Sequence, residues 1–349
     1  MDDYALERNI EYTQKLRAML KELPPFCSSF FNAMEGTTSP LTRYGYAMDL
    51  RTFFSFIIDE IPQLQNKTLR EITLEDMNAL SSDHIEMFIE HLTYYTDKNT
   101  SKQHENHDRA KARKLSALRS LFKYLLKKQK INNNVAALVD TPKLYDKPII
   151  RLEPNEVADL LDFVDSGDTL TPKQRQYHSH TNCRDIAIMT VFLGTGIRIS
   201  ELIGLNISDI DFETGGFRIT RKGGNQVVIY FGSEVEAALL EYIRIRKTIL
   251  PTQGTEDALF LSMQRKRITP RAVQNLVKKY AKAAVPLKKI SPHKLRSTYG
   301  TLLYQETGDI YLVADVLGHK DINTTKKHYA AQSDENRRKA ARIVKLRDE

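Results

Sequence analysis

The sequence predicts a mainly α-helical chain of two domains with one small antiparallel β-hairpin. Three observations carry that prediction. Apolar residues recur at helical spacing through residues 4–126. Two prolines, Pro142 and Pro148, interrupt the chain between two such helical stretches. Apolar and polar residues alternate in 217–222 and 226–231, on either side of Gly223-Gly224-Asn225, a β-hairpin signal.

Taken in order, residues 4–35 are expected to form one or two helices with Leu6, Ile10, Leu16, Met19 and Leu20 on one face, closed by Pro24-Pro25. Ser39-Pro40 is a helix start signal, and Tyr46, Leu50, Phe53, Phe54 and Ile57 follow at helical spacing. Thr73-Leu-Glu75-Asp76 reads as a capped start leading to Ile85, Phe88, Ile89 and Leu92. After a polar break, a third helix carries Leu115, Leu118, Leu121, Phe122, Leu125 and Leu126. Its other face holds Arg109, Lys111, Arg113, Lys114, Arg119 and Lys123. No strand is expected in this half.

Beyond the linker, Glu153-Pro154 begins a helix through Leu160, Leu161 and Phe163. Residues 166–182 are polar and expected to be a loop; residues 183–205 read as a long apolar helix interrupted at Gly194-Thr-Gly196. After the hairpin the chain is expected to be helical to its end. The domain expectation is therefore an N-terminal helical extension (1–35), a helical domain (36–140), a linker (141–150), a second domain that carries the hairpin (151–333) and a tail helix (334–349).

Bulk properties narrow the partners. At 349 residues and 41% hydrophobic content the chain can build real cores. A formal charge of +8 favours a polyanionic partner, a balance shared by ribosomal, membrane-surface and nucleic-acid-binding proteins. Cys27 and Cys183 are far apart and outside any CxxC spacing, so no disulfide framework or zinc site is expected. The N-terminus is charged, and the longest apolar run, near residues 186–197, is too short to span a bilayer. A soluble, cytoplasmic protein with no membrane anchor is expected.

The chemistry-bearing residues are spread over the second half. Arg198 lies in an apolar setting with Glu201 three residues on, and two readings stay open: a structural ion pair, or a carboxylate that orients a guanidinium toward phosphate. Lys222 stands at a hairpin tip, where it is either a solvated surface residue or a proton donor reaching into a groove. His293 and Arg296 share one helix face, with Pro292 suited to the first turn. His319 follows Leu317-Gly318, a helix end with glycine supplying the left-handed cap. Tyr329 follows on a new helix; His328 beside it competes for the role of His319 but falls on another helix face. The sequence contains no P-loop and no carboxylate cluster suited to paired magnesium ions.

The ordered set Gly196-x-Arg198-x-Ser-Glu201-Leu, hairpin lysine, His293-x-Leu-Arg296, Leu317-Gly-His319 and Tyr329 resembles the tyrosine recombinase (phage integrase) family, and within it the Xer-type chromosome-dimer-resolving and transposon integrases. Ser39-x-x-Thr42-x-x-x-Tyr46-x-x-Asp49-Leu50 resembles the opening of that family's helical core-binding domain. Residues 116–126 and Asn134-Val-Ala resemble its close. Two departures stand out. Ser297 occupies a place where the family usually repeats a histidine, and Tyr329 is ten residues beyond His319, one more than the commonest spacing.

The resemblance implies site-specific recombination of duplex DNA without metal, ATP or other cofactor. Arg198, Arg296 and His319 would hold the scissile phosphate, with Glu201 supporting. Tyr329 would attack to give a 3′-phosphotyrosyl link, His293 would assist as acid or base, and Lys222 would protonate the leaving 5′-oxygen. Arg43, Arg109, Lys111, Arg113, Lys114, Arg119 and Lys123 are the candidate phosphate contacts, each alternatively part of a solvated helix face. The resemblance also implies a homotetramer on two DNA sites, tail helices docking between protomers, and scope for an accessory protein. Roles in chromosome segregation at cell division and in mobile-element integration or excision both stay open, and the length with its extra N-terminal helix suits a self-sufficient single-recombinase Xer system. The alternatives are a type IB topoisomerase and a non-catalytic DNA-binding regulator.

Overall fold

The computed structural model describes residues 3–97, 101–145, 149–168, 170–221, 224–319, 321–323 and 325. It divides into two units, Asp3–Lys147 and the chain from Pro148 onward.

In the first unit, α1 (Asp3–Leu20) and α2 (Phe26–Ala33) flank the Pro24-Pro25 break, and α3 (Pro40–Glu60) starts where Ser39 accepts a hydrogen bond from the Thr42 amide. Two single 3₁₀ turns lead to α4 (Leu74–Ala79), whose Thr73–Asp76 capping box satisfies orphan amides at both ends of the motif. A second capping signal at Ser81 starts α5 (Ser82–His91). The β1 (Tyr94–Asp97) and β2 (Lys102–Glu105) strands then pair antiparallel, Tyr94 opposite Glu105, before α6 (Asp108–Lys127). That hairpin corrects the expectation of a strand-free half. Its sequence does carry a β signal, since Tyr94-Tyr95-Thr96 are all strand formers.

The core of this unit is made by the faces that the spacing predicts. Leu50, Phe53, Phe54 and Ile57 of α3 are fully buried against Leu115, Leu121, Phe122 and Leu125 of α6 and Phe88 of α5. Each such side chain contributes about 1.5–3 kcal/mol of burial. Leu6, Ile10 and Leu126 are the exceptions, exposed at 48%, 50% and 39%.

The second unit is built around α8 (Pro172–Thr195), which packs against α7 (Pro154–Ser166), α10 (Ser233–Arg246) and α12 (Pro292–Thr307). Residues 172–182, expected to be loop, are therefore helix. Thr171 and Gln174 form a capping box and Pro172 takes the first helical position, so the polar stretch begins the helix rather than preceding it. Nor does this helix continue to Leu205. It ends on Gly196 in the left-handed conformation, and a short α9 (Ile199–Gly204) restarts after Arg198.

Downstream of α9, β3 (Ile210–Asp211), β4 (Gly216–Thr220) and β5 (Gln226–Tyr230) form a three-stranded antiparallel sheet in that order. Thr220 pairs with Gln226, so the expected hairpin is present with an added third strand. Between α10 and α11 (Pro270–Ala284) the chain is not helical, against expectation; isolated bridges Asn206–Ala258 and Leu261–Arg267 hold it. The last described helix is α13 (Ile310–Leu317). The tail proposed at 334–349 lies outside the described residues. Among the described residues, no helix is long and apolar enough to cross a membrane.

Candidate active site

Three local features place Arg198, His293, Arg296 and His319, and bring the first, third and fourth of these to one helix end. Gly196 ends α8 at φ +63°, which turns the chain so that Arg198 becomes the N-cap of α9 in an extended conformation. Pro292 starts α12, setting His293 in its first turn and Arg296 one turn further on. Gly318 ends α13 at φ +61°, and His319 follows directly.

The C-terminal end of α13 is the organising centre. A helix leaves its last four carbonyls without intrahelical partners, and these carry partial negative charge. Here arginines engage them in sequence, the first of them, Asp315 O, also accepting from the Gly318 amide at 2.8 Å. Arg296 Nη2 donates to the Leu317 carbonyl. Arg198 Nη2 donates to Gly318 O at 3.0 Å. Arg221 donates from Nη1 to Asp315 O at 3.3 Å and from Nη2 to Val316 O at 2.8 Å. Arg296 also donates from Nη1 to Gly196 O at 2.6 Å, tying both glycine turns together.

Glu201 fixes Arg198 twice. One carboxylate oxygen accepts from the Arg198 amide at 2.9 Å and the other from its Nη1 at 2.9 Å. The Glu201 side chain is 6% exposed and that of Arg198 37%. The ion pair is thus formed, with the carboxylate buried and the guanidinium still reaching the surface. A guanidinium has five donors in a rigid fork, so Arg198 keeps capacity for a planar anion.

Arg296 is buried at 5% exposure, beneath that surface. His293 is exposed, and its backbone carbonyl accepts from Ser297 Oγ at 3.0 Å. The departure at Ser297 therefore has a local role, closing a hydrogen bond within the first turns of α12. His319 sits with Nδ1 2.8 Å from the fully buried Thr325 Oγ1, a contact that fixes the ring plane. Lys222, His328 and Tyr329 lie outside the described residues.

Close packing explains why both turns need glycine. A Cβ on Gly196 would come within 2.4 Å of Tyr299 Cδ1 and 2.8 Å of Leu317 Cδ2. On Gly318 it would meet Arg221 Nη1 at 2.2 Å and Cζ at 2.4 Å. Burial pushes the Tyr299 hydroxyl pKa up, which keeps this wall of the site neutral.

Sequence reasoning did not single out Arg221. It shares the hairpin with Lys222 and reads as one more cation in a basic chain; its partners, 94 and 95 residues away, are not visible in local pattern.

The candidate DNA contacts separate into two groups. Lys114 is buried and its Nζ lies 3.1 Å from Asp49, which Arg113 also engages through both Nη atoms. Arg119 is spent on the Ala136 carbonyl (3.1 Å), the Val139 carbonyl and Thr141 Oγ1 (2.7 Å), fastening the end of the unit to α6. Arg43 is buried, 3.7 Å from Glu35. Arg113 keeps 53% of its side chain exposed despite its pairing. Arg109 and Lys123 are exposed, and Lys111, half-buried, donates to Thr93 Oγ1 at 2.7 Å.

Residues 151–336 match the sequence model of the phage integrase family, over half of the chain. The chain belongs to that family. Tyrosine recombinase XerC of Caldanaerobacter subterraneus subsp. tengcongensis is 34% identical over 87% of this chain and 82% of its own length. Tyrosine recombinase XerS of Lactococcus lactis subsp. cremoris is 29% identical over 91% and 94%. Among solved structures, XerH site-specific recombinase bound to a palindromic difH substrate shares the fold with a TM-score of 0.64 and 21% identity, covering 87% of this chain and 80% of that one. A λ integrase dimer bound to a COC′ core site does so at 0.61 and 14%, covering 89% and 96%. The chain is a tyrosine recombinase, a DNA strand transferase, and its fold is the mainly α architecture with small antiparallel sheets that the sequence predicts.

Proposed function

We propose that this chain carries out site-specific recombination of duplex DNA through a 3′-phosphotyrosyl intermediate, using Arg198, Arg296 and His319 to hold the scissile phosphate. The observation that carries this reading is the convergence of both arginines on the Leu317 and Gly318 carbonyls, next to His319. Two guanidiniums and an imidazole fixed on one helix end form a preorganised anion site, the arrangement that stabilises charge accumulating on non-bridging phosphoryl oxygens.

In this reading Tyr329 attacks phosphorus, the Tyr329 O–P bond forms, and the P–O5′ bond breaks. Lys222 gives its proton to the departing 5′-oxygen, and His293 manages the tyrosine proton. A free tyrosine has a pKa near 10, so such help matters at neutral pH. Glu201 keeps Arg198 aimed. The energy of the broken phosphodiester stays in the phosphotyrosyl link, so rejoining needs neither ATP nor a metal ion.

Arg109, Lys111 and Lys123 are the first choice for phosphate contacts by the helical unit, since their ammonium and guanidinium groups are near the surface. Arg43, Arg113, Lys114 and Arg119 serve the fold first. The functional unit is a homotetramer on two copies of the target site, coupled by tail exchange and open to an accessory protein, in the cytoplasm. Likeness over 91% of this chain and 94% of the Lactococcus XerS fits the Xer-type reading, within which we propose chromosome dimer resolution at cell division or mobile-element integration and excision as the role.

Capturing covalent chain–DNA adducts across a host genome would map the target. A plasmid carrying two copies of that site should then undergo deletion or inversion. Relaxation of supercoils without either product would point to the topoisomerase alternative instead.

A further inference from the structure

We propose that Arg221 is a positioning residue for strand cleavage, fastening the turn that carries Lys222 to the same helix end that holds Arg198 and Arg296. The inference rests on the reading of Lys222 as proton donor.

The geometry begins in the hairpin. The Arg221 amide donates to Asn225 O at 2.8 Å and its carbonyl accepts from the Gly224 amide at 3.0 Å, so Arg221 is the last paired residue before the turn. Lys222 is bonded directly to it. From this place the side chain crosses to α13 and donates to two consecutive carbonyls, Asp315 O and Val316 O. Those carbonyls immediately precede the Leu317 and Gly318 carbonyls that Arg296 and Arg198 occupy.

Arg221 is held there at some cost. Its Nε is buried with no hydrogen-bond partner among the described residues, and burial lowers the guanidinium pKa, against the pull of the Glu201 carboxylate. A residue serving only the sheet would gain more by turning into solvent, where all five donors are satisfied. The chain also makes room for it, because Gly318 must lack a side chain for the guanidinium to lie where it does.

The consequence is mechanical. Proton transfer needs a donor within hydrogen-bond reach of the leaving oxygen, and Lys222 follows Arg221 directly in the chain. Anchoring the residue before Lys222 to α13 makes the position of the turn a property of the phosphate-holding site. Arg221 would act through Lys222, without touching DNA.

The test uses duplex containing the mapped cleavage site, made with either the natural 5′-oxygen or a 5′-sulfur bridging the scissile phosphate. Breaking P–O5′ requires a proton on the leaving oxygen. Breaking P–S releases a thiolate, the conjugate base of an acid with pKa near 8.5, and requires none. With full-length protein, Arg221→Ala should form adduct about 10- to 100-fold more slowly than the unsubstituted chain on the oxygen substrate. On the sulfur substrate most of that deficit should vanish, as it should for Lys222→Ala. Arg221→Lys, which keeps one donor for the carbonyls, should fall between, and it replaces Arg221→Ala should the latter not fold.

Rescue of Lys222→Ala but not of the Arg221 variants overturns the proposal alone, as does an Arg221 variant as fast as the unsubstituted chain on both substrates. Failure of sulfur to rescue Lys222→Ala overturns the assignment of Lys222 and the proposal with it.

Discussion

Arg198 donates to the carbonyl of Gly318 across 120 residues of chain, at 3.0 Å. The bond joins the turn after α8 to the turn after α13, and it holds the guanidinium beside His319. Each side of the bond depends on a second contact, Glu201 for Arg198 and the left-handed glycine for residue 318.

Glu201→Gln keeps the shape of the side chain and removes its charge. The amide presents donors where Arg198 presents donors, so the guanidinium loses its fixed orientation. Covalent adduct formation is expected to drop about 10- to 100-fold with duplex binding little changed. An unchanged rate would mean that the ion pair serves only folding.

Gly196→Ala tests the other turn. The substitution combines a left-handed conformation, worth about 1–2 kcal/mol, with a collision against Tyr299 and Leu317, worth about 1–3 kcal/mol. A loss of about 2–5 kcal/mol is expected in denaturant unfolding of the catalytic unit. A loss below 1 kcal/mol would contradict the packing described.

Asp49→Ala leaves the buried Lys114 ammonium without its carboxylate and frees Arg113. Stranding a buried charge costs about 3–5 kcal/mol, so the helical unit should melt far earlier than in the unsubstituted chain. Lys114→Met should be tolerated much better. Equal, mild effects of the two substitutions would return Lys114 to the set of free DNA-contacting cations.

Burial, with the Glu241 and Asp165 carboxylates adding to it, pushes the Cys183 thiol up to about 11. A raised thiol pKa means the protonated form persists well above neutrality. At pH 8 the reactive thiolate is on the order of one molecule in a thousand. Alkylation of the native chain at pH 8 should therefore be slow at Cys183 and slower at the fully buried Cys27. Labelling of Cys183 as fast as a free thiol would show that its surroundings are open.

How much of this was legible in the sequence varies by residue. Ser39-Pro40 and Thr73–Asp76 could be read at once, since capping is written within four residues. Thr171-Pro172-Lys-Gln174 carries the same signal, but the polar run after it masked a helix whose first turns are solvent-facing. Lys114, expected on the polar face, is a correction: with Leu118, Leu121 and Leu125, at spacings of four, three and four, it falls on the apolar face of α6. Its partner Asp49, on α3, was not legible.

At the site, the ordered motif marked Arg198, Glu201, Arg296 and His319, and the fold brings all four to the end of α13. Arg198 was expected inside a helix and is its N-cap instead, because Gly196 ends the preceding helix two residues earlier. Arg221 carried no signal of its own. Its role depends on carbonyls, which every residue has and no sequence distinguishes.

The central claim is that Tyr329 is the nucleophile of this phosphate site, and the covalent adduct tests it most directly. Full-length protein incubated with labelled duplex carrying its cleavage site, then resolved on a denaturing gel, should give a protein-linked band. Tyr329→Phe should bind the duplex and give no such band, while His328→Ala should retain it. An adduct from Tyr329→Phe, or one abolished by His328→Ala alone, would contradict the account.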